Sequence, residues 1–292
     1  CGEENWDVAI VEKGGEIWGT MPYYIKKKWC FTLITMPPLT QKLGPYIKYP
    51  QGQKYYKRLS WEKEIMNELI DQLPEFDYFY QQWDYIITNW LPFYWRGFKQ
   101  TTRYTYVINI NDNNENNIIE NFSHAKRKQI KKAIRNGINI KSNIIQPEDF
   151  YNLHKRELEF EKAKISYSFK LFNRLYKNAL SNDQGVIISA EDLNGIIHGA
   201  LFIIFNKQSA YDLISAFNPD FLDSGASSLL VLEAIKYTQW HNIDRFDFEG
   251  SMIENVENSF RQFGAIQSSY SAVYKINSKL LKIRECLKEL LR

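Results

Sequence analysis

The sequence predicts an α/β (α+β) fold of two similar halves, each with a mixed, mostly antiparallel sheet flanked by helices. Two sequence echoes indicate the duplication. Val8–Met21 resembles Ile188–Leu201, and Gly97–Thr102 resembles Gly264–Ser269, in the same order along the chain. A third observation is the order of elements predicted for the second half, β-β-β-α-β-α-β. The first half can be assigned the same order.

We expect an N-terminal domain over residues 1–115 and a C-terminal domain over residues 116–292. A chain of 292 residues suits two domains of about 120–150 residues each. Its 44% hydrophobic and 24% charged residues exclude a disordered chain. The chain begins at Cys1 without a methionine, which we interpret as a truncated start; a processed lipoprotein cysteine is the alternative.

Cysteine content and hydropathy indicate the cellular compartment in which the protein is expected. Three cysteines, odd in number and far apart, argue against a disulfide framework and against a four-thiolate zinc site. There is no apolar run of about 18 residues, so no helix is expected to span a bilayer, and no secretion signal opens the chain. We therefore expect a cytoplasmic protein.

The second half gives the clearest element pattern. Apolar runs separated by turn residues predict a three-stranded meander over Gly185–Ala190, Ile196–Phe205 and Ala210–Ala216. A helix over about 228–240, a strand over 244–249, a helix over 255–263, a strand ending at 276 and an amphipathic tail follow. In the first half we expect strands before residue 40, a helix over about 61–73, and strands over 76–82 and 104–110.

One segment stands out by its charge. The chain has a net charge of +3, and residues 121–141 contain seven basic residues and no acid. Ser123 is expected to cap a helix over 123–136 that Gly137 ends. Helical geometry puts Ile130, Ala133 and Ile134 on the buried face and the cations on the opposite side, with the first two cations at its edges.

The basic helix has two interpretations. It is either a solvated basic face or a binding surface for a phosphorylated ligand. Lys126 and Arg127 lie in the first turn, where cations oppose the helix dipole, and no acid compensates them. Because that arrangement costs free energy locally, a ligand is a reasonable explanation, and Lys126, Arg127 and Lys131 are the predicted ligand-binding cations.

A second candidate anion site is the loop that opens the predicted helix after the meander. Free backbone N–H groups at such a start bind phosphate. The predicted donor-binding residues are Gly225, Ala226, Ser227 and Ser228. The alternative is a plain loop with a serine cap.

These residues resemble a known family. The order β-β-β-loop-α-β-α-β, with its phosphate-facing loop, resembles the GNAT N-acyltransferase fold. The duplication, the segment Ser123–Ala133 and the block Phe246–Ser251 with Phe263-Gly264 resemble the FemAB-like branch, in which two GNAT domains lie in tandem.

The resemblance implies transfer of an acyl or aminoacyl group to an amine, with no tightly bound cofactor. The implied co-substrate is aminoacyl-tRNA, as in peptidoglycan-bridge enzymes, or acyl-CoA, as in acetyltransferases of the GNAT fold. The implied acceptor is an anionic small molecule or cell-wall precursor. One departure weighs against ordinary acetyl-CoA: residues 221–226 keep one glycine, lack the usual Arg or Gln, and include Asp223.

Aminolysis of an activated donor needs a neutral amine, a place for the oxyanion and a proton route, but no enzyme nucleophile. None is visible, and the four histidines have no metal-ligand spacing. Asp247 or Glu249 is the predicted proton acceptor or acceptor-orienting group; alternatively they cap Ser251 and the loop after it. Lys275 is predicted to bind a phosphate or the oxyanion; alternatively it extends its amine to solvent at a strand end.

Trp95 and Arg96 lie in an aromatic cluster that could line the acceptor site, although such clusters are more often core. Two other functions remain open for the whole chain. One is a non-catalytic binding module, and the other is an RNA-binding protein that uses the basic helix. The RNA hypothesis expects aromatic residues among the cations for base stacking, and the segment has Phe122 alone, at its edge. The oligomeric state is not predicted.

Overall fold

The computed structural model describes residues 2–110, 115–250 and 252–290. The predictions that concern Cys1 and Ser251 lie outside the described residues. The chain forms two compact units. Unit 1 comprises Cys1–Arg103 and Ser269–Arg292, and unit 2 comprises Tyr104–Ser268.

The described residues form both strands and helices. The strands are β1 (Trp6–Lys13), β2 (Glu16–Lys28), β3 (Phe31–Thr35), β4 (Tyr46–Ile47), β5 (Tyr78–Gln82), β6 (Lys99–Asn109), β7 (Asn139–Ser142), β8 (Gly185–Glu191), β9 (Ile197–Phe205), β10 (Ser209–Phe217), β11 (Arg245–Asp247) and β12 (Ile266–Ile276). The helices are α1 (Tyr55–Asp71), α2 (Leu91–Trp95), α3 (Glu115–Glu120), α4 (His124–Arg135), α5 (Pro147–Phe160), α6 (Phe169–Ser181), α7 (Ala226–Trp240), α8 (Glu254–Arg261) and α9 (Lys279–Leu290).

Unit 1 is a mixed sheet with one parallel pair. Its strand order is β1-β2-β3-β5-β12, with the short β4 beside β2. Neighbouring strands are antiparallel except β3 and β5. The core is rich in aromatic and aliphatic side chains, among them Phe79, Trp83 and Phe93, which are fully buried. A buried aromatic cluster of this kind supplies a large apolar area to the core.

Unit 2 has the same kind of sheet. Its strand order is β6-β11-β10-β9-β8-β7, and the pairs are antiparallel except β10 and β11. Helix α7 contacts β8 and β9, and α5 and α6 contact β10 and β8. Nearly every residue of β8 and β9 is buried, which explains why their sequences are continuous apolar runs instead of alternating ones.

The hairpins β1–β2 and β8–β9 share local geometry. In each, the register shifts by a bulge near the turn, after Val11 in one and after Ala190 in the other. Gly15 and Gly195 both have φ of +78°, a left-handed backbone that glycine adopts without strain. Both halves therefore carry the hairpin that the sequence echo predicts.

The last strand of each sequence half pairs within the unit that the other half mostly forms. Strand β6 ends the first sequence half, yet its residues 107–109 pair with β11 in unit 2. Strand β12 ends the second half, yet its residues 272–276 pair with β5 in unit 1. The predicted segments 1–115 and 116–292 therefore differ from the units at both strands, because partners far apart in sequence complete each sheet.

Most predicted elements match the described ones within a few residues, and the mixed α/β class is confirmed. Helices α5 and α6 were not predicted from the sequence. None of the helices in the described ranges is long and apolar enough to cross a membrane.

Because β12 completes the sheet of unit 1, truncating its core side chain should destabilise that unit. Val273 is fully buried in the unit 1 core, whereas Ile266 in the same strand is 63% exposed. We expect Val273→Ala to lower the free energy of unfolding by about 1–3 kcal/mol, since it leaves a cavity. Ile266→Ala is the control and should change it by less than about 0.5 kcal/mol. Equal effects in urea unfolding would contradict this role of β12.

Candidate functional site

A cavity of about 180 Å³ lies in unit 2 beside the part of β10 that extends past its pairing with β11. The parallel pairing covers only Ser209–Tyr211 and Arg245–Asp247, while β10 continues to Phe217. The lining residues are Lys126, His198, Asp212, Ser215, Phe217, Phe221, Leu222, Ser224, Ala226, Ser227, Val231, Ser259, Phe260 and Phe263. A polar group in this largely apolar cavity is partly desolvated, and its electrostatic interactions are strengthened.

The start of α7 forms one wall of the cavity. Gly225 has φ of +85°, and a Cβ there would clash with the backbone oxygen of Gln129 on α4. The Ala226 N–H donates to Ser224 Oγ at 3.2 Å. The N–H groups of Ser227 and Ser228 lie in the first turn and have no partner within the helix. This wall therefore has the geometry of a helix N-terminal anion site.

The four predicted donor-binding residues play different parts in this wall. Ala226 and Ser227 line the cavity. Gly225 allows the close approach to α4. The Ser228 side chain is fully buried and donates to Gln129 Oε1 at 2.5 Å, so its hydroxyl ties α7 to α4.

Helix α4 confirms its predicted cap, but one face was predicted wrongly. Ser123 Oγ accepts from the Lys126 N–H, as expected for an N-cap. Ile130 and Ala133 are buried, whereas Ile134 is 59% exposed. Relative to Ile130, Ala133 lies about 60° to one side and Ile134 about 40° to the other. The buried face is therefore centred on the Ala133 side, because α4 packs there against α7.

This correction moves Lys126 from the edge of the helix into its buried side. Lys126 lies about 40° from Ile130, between Ile130 and Ala133. Its Nζ donates to Ser259 Oγ at 2.9 Å and lies 4.3 Å from the centroid of the Phe263 ring. Burial lowers the pKa of Lys126 to about 8, because the ammonium has lost water.

Arg127 and Lys131 line a different surface. They lie with Lys128, Lys132 and other residues of α4 in an open groove of about 680 Å³ that also includes Asp223. Arg127 Nη1 donates to the backbone oxygen of Glu120 at 2.9 Å. Of the three predicted ligand-binding cations, Lys126 alone lines the cavity at α7.

Asp212, a carboxyl group in the cavity wall, was not predicted from the sequence. Asp212 lies on β10 just before a register shift and is buried. Both of its carboxyl oxygens lie 3.1 Å from Ser215 Oγ. Burial raises the pKa of Asp212 to about 7, and the Ser215 hydroxyl opposes that rise by stabilising the carboxylate.

His198 is a second missed residue in the wall. It is buried, its ring stacks on Phe221 with centroids 4.1 Å apart, and neither ring nitrogen makes a hydrogen bond to the described residues. Its Nε2 lies 3.5 Å from Asp192 Oδ2, beyond good hydrogen-bond geometry. A buried ring without hydrogen bonds beside a cavity is suited to a polar ligand group.

The open edge of β10 is closed by two side chains of α5. His154 Nδ1 lies 2.9 Å from the Ser215 backbone oxygen, and the Phe217 N–H donates to Glu157 Oε2 at 3.0 Å. Burial raises the pKa of Glu157 to about 7 and lowers the pKa of His154. These two side chains occupy backbone groups that a neighbouring strand or an extended ligand would otherwise use.

The predicted carboxylates Asp247 and Glu249 are buried and do not line the cavity. Asp247 Oδ1 accepts from Thr105 Oγ1 at 2.5 Å and from the Glu249 N–H at 2.8 Å. Glu249 has φ of +60°, a strained value for a residue other than glycine. Asp247 thus holds the turn after β11, and a catalytic role for either residue stays a prediction.

Lys275, Trp95 and Arg96 all belong to unit 1. Lys275 Nζ donates to the backbone oxygen of Arg96 at 2.8 Å and lies 4.9 Å from the centroid of the Phe98 ring. Burial lowers the pKa of Lys275, and the charge of Arg96 adds to the effect. Arg96 forms an ion pair with Asp71, while Trp95 is 56% exposed. Their predicted roles stay predictions.

Some of the missed features have sequence signals. Pro147 at the start of α5 is followed by two acids, and Ser168 caps α6 through its hydroxyl; both are ordinary helix-start signals. Asp212 is a charged residue inside an apolar strand, which is unusual unless it is paired or functional. Within the described ranges, no cluster of His, Cys, Asp and Glu side chains suits a metal ion.

Comparisons with known proteins agree with this geometry. A family model described as the FemAB family matches residues 24–178, just over half of the chain. A model described as an acetyltransferase (GNAT) domain matches residues 124–254, which include most of the residues that line the cavity at α7. The comparison with curated proteins gave no match.

Solved structures share the fold at low sequence identity. The crystal structure of FemX is 14% identical, with a TM-score of 0.69 over 92% of this chain and 88% of that chain. L-PGS from Bacillus licheniformis is 10% identical, with a TM-score of 0.57 over 94% and 86%. A tandem GNAT protein from the clavulanic acid biosynthesis pathway is 9% identical, with a TM-score of 0.53 over 92% and 82%. The predicted tandem-GNAT fold is confirmed.

The buried carboxyl of Asp212 gives a prediction about stability. Its pKa is about 7 in the folded chain and near 3.8 when unfolded, so the folded state binds more protons between these values and stability falls as pH rises through this window. Asp212→Asn removes that loss. We expect the free energy of unfolding of the variant, relative to wild type, to rise by about 2 kcal/mol from pH 5 to pH 8.

The matched control is Asp223→Asn, because Asp223 is an exposed carboxyl of the same unit. Its difference from wild type should stay constant over the same pH range in urea unfolding. A constant difference for Asp212→Asn as well would show that Asp212 ionises normally in the folded protein.

Proposed function

The chain belongs to the FemAB family, and on this premise we propose that it transfers an acyl or aminoacyl group from an activated, phosphate-bearing donor to an amine of an anionic acceptor. Membership of that family, together with its GNAT acetyltransferase domain, makes the protein an acyltransferase. The classes of donor and acceptor, and the residues that bind them, are the proposed part.

The observation that carries the proposal is the cavity beside the end of β10 and the start of α7. It combines the first-turn amides of α7 with the ammonium group of Lys126, which enters the same cavity from α4. Amides at a helix start and a desolvated cation together suit a phosphate. Apolar side chains such as Phe217 and Val231 form the rest of the wall and suit the acyl portion of a donor.

Both donors implied by the resemblance, acyl-CoA and aminoacyl-tRNA, carry phosphate groups. Two features weigh against acyl-CoA. The loop has a single glycine at Gly225 and an acid at Asp223. In addition, His154 and Glu157 already bond to the β10 edge along which an extended thioester arm would lie. An aminoacyl ester does not need that edge, so we favour aminoacyl-tRNA as donor.

The proposed acceptor is an anionic precursor of the cell envelope that carries a free amine, as the resemblance to peptidoglycan-bridge enzymes implies. In the reaction the amine nitrogen forms a bond to the donor carbonyl carbon, and the carbonyl-to-carrier bond breaks. The acceptor ammonium first loses one proton to a base, which leaves a neutral amine that can attack. After the attack the nitrogen loses a second proton, and the leaving oxygen or sulfur gains one. Positioning of the two substrates supplies much of the rate, because the donor is already activated.

Asp212 is the carboxyl we favour as proton acceptor. It lines the cavity, whereas Asp247 and Glu249 do not. A pKa of about 7 suits a base that works near neutral pH, because the carboxylate is available and still binds a proton well. Asp247 and Glu249 remain the candidates that the sequence predicts, and both lie in or next to the turn after β11.

Loss of the Lys126 charge should weaken donor binding. We expect Lys126→Met to raise the donor KM by tenfold or more, since a charge-assisted hydrogen bond contributes about 1.5–3 kcal/mol. Lys128→Met is the control, because Lys128 is an exposed cation of the same helix. For wild type, donor KM should rise above pH 8, as Lys126 loses its proton. Steady-state kinetics with acyl-CoA and with aminoacyl-tRNA give these values and identify the donor.

An unchanged donor KM in Lys126→Met, or an equal rise in both variants, would refute the proposed role of Lys126. Binding of donor without turnover of any amine acceptor would instead indicate a non-catalytic binding module.

Replacing the proposed base should slow the chemical step. We expect Asp212→Asn to lower kcat by about a hundredfold or more and to leave donor KM unchanged, because general-base catalysis contributes about this much. Asp247→Asn and Glu249→Gln, measured in the same way, test the carboxylates predicted from the sequence. Full activity in all three variants would remove carboxylates from the mechanism and leave positioning as its basis.

A further inference from the structure

The turn between β2 and β3 in unit 1 presents a tryptophan to solvent. Trp29 is 87% exposed, although tryptophan is usually largely buried. Its φ is +56°, in the left-handed region that bulky residues rarely adopt. The equivalent positive-φ positions of the two other hairpins described above are glycines, Gly15 and Gly195.

A tryptophan is thus unfavourable at this position for two reasons: the turn needs a left-handed backbone, and the large apolar ring is exposed to water. Neither the packing of unit 1 nor the turn requires it, because glycine or asparagine would suit this backbone better. A residue that breaks both rules at an exposed position is expected to have a function outside the fold.

The residues around Trp29 are strongly basic. Lys26, Lys27 and Lys28 are all exposed and immediately precede it. Lys28 Nζ lies 5.7 Å from the centroid of the Trp29 ring. Residues 17–61 contain eight basic residues and no acid, a second acid-free stretch in addition to residues 121–141. The tip therefore combines one exposed indole with a cluster of uncompensated cations.

We propose that the β2–β3 tip docks on an anionic lipid bilayer, with the Trp29 indole in the headgroup region and the three lysines on lipid phosphates. Tryptophan partitions to the interface of a bilayer because its ring is apolar while its N–H can still bond to water or headgroups. Lysines beside such an anchor are attracted by the negative surface potential of anionic lipids. The proposal does not depend on the acyl-transfer reaction.

The shape of the tip favours a bilayer over a nucleic acid. Binding of single-stranded nucleic acid uses a groove in which several aromatic rings stack on successive bases. Here a single ring, 87% exposed, lies at the turn of a two-stranded hairpin, between Lys28 and Cys30. An exposed ring can enter a planar interface, but it offers no path for a phosphate backbone.

The test is sedimentation of the full chain with vesicles. The probes are vesicles of phosphatidylcholine with about one third phosphatidylglycerol, vesicles of phosphatidylcholine alone, and a single-stranded RNA oligonucleotide. We expect wild type to bind the anionic vesicles more tightly than the neutral ones. Trp29→Gly should weaken binding tenfold or more, and replacement of Lys26, Lys27 and Lys28 by Gln should remove the preference for anionic lipid.

Two controls separate docking from folding. Trp240→Gly removes a tryptophan that is 88% exposed elsewhere on the surface and should leave vesicle binding unchanged. Trp29→Gly should keep or raise the melting temperature, because glycine suits the left-handed turn. Three results would each overturn the proposal: no vesicle binding by wild type, equal binding by Trp29→Gly, or Trp29-dependent binding of the RNA without binding of vesicles.

Discussion

The site in unit 2 depends on the short parallel pairing of β10 with β11. Three residue pairs join these strands, and β10 then continues without β11 beside it. A parallel connection needs a crossover, and α7 supplies it. The start of α7 lies beside the part of β10 that extends past β11, and Ala226 and Ser227 of its first turn line the cavity there. Three side chains from other elements line the same cavity: Lys126 of α4, Asp212 of β10 and His198 of β9. Among the described cavities, this one alone is lined by all three.

Desolvation shifts the pKa values of the basic and the acidic side chain of this cavity in opposite directions. It lowers the pKa of Lys126 to about 8 and raises the pKa of Asp212 to about 7, so both groups titrate near neutrality. The protonation states of the proposed phosphate-binding cation and the proposed proton acceptor thus become sensitive to a bound ligand. A bound phosphate would restore the charge of Lys126, and a bound ammonium would favour the ionised form of Asp212. Burial, more than any single hydrogen bond, sets the electrostatics of the site.

The sequence predicted local features better than long-range ones. The Ser123 cap, the hairpin at Gly195 and the start of α7 follow from short-range turn and capping rules, and all three are found. The burial of Lys126 could not be predicted, because it depends on which side of α4 meets α7. Asp212 is marked in the sequence as a charged residue inside an apolar strand, but its place in the cavity wall depends on where the pairing between β10 and β11 ends, which the pattern of one strand does not reveal.

The pairing of β6 and β12 with strands of the other sequence half affects the order in which the protein is made and folded. A ribosome synthesises residues 1–103 of unit 1 first, but β5 lacks its second neighbour, β12, until residue 276 has left the exit tunnel. Unit 2 needs nothing beyond Ser268, since β6 was already synthesised. The segment that begins the chain is therefore the last to complete its sheet, and the exposed edge of β5 must be kept from other chains throughout that interval.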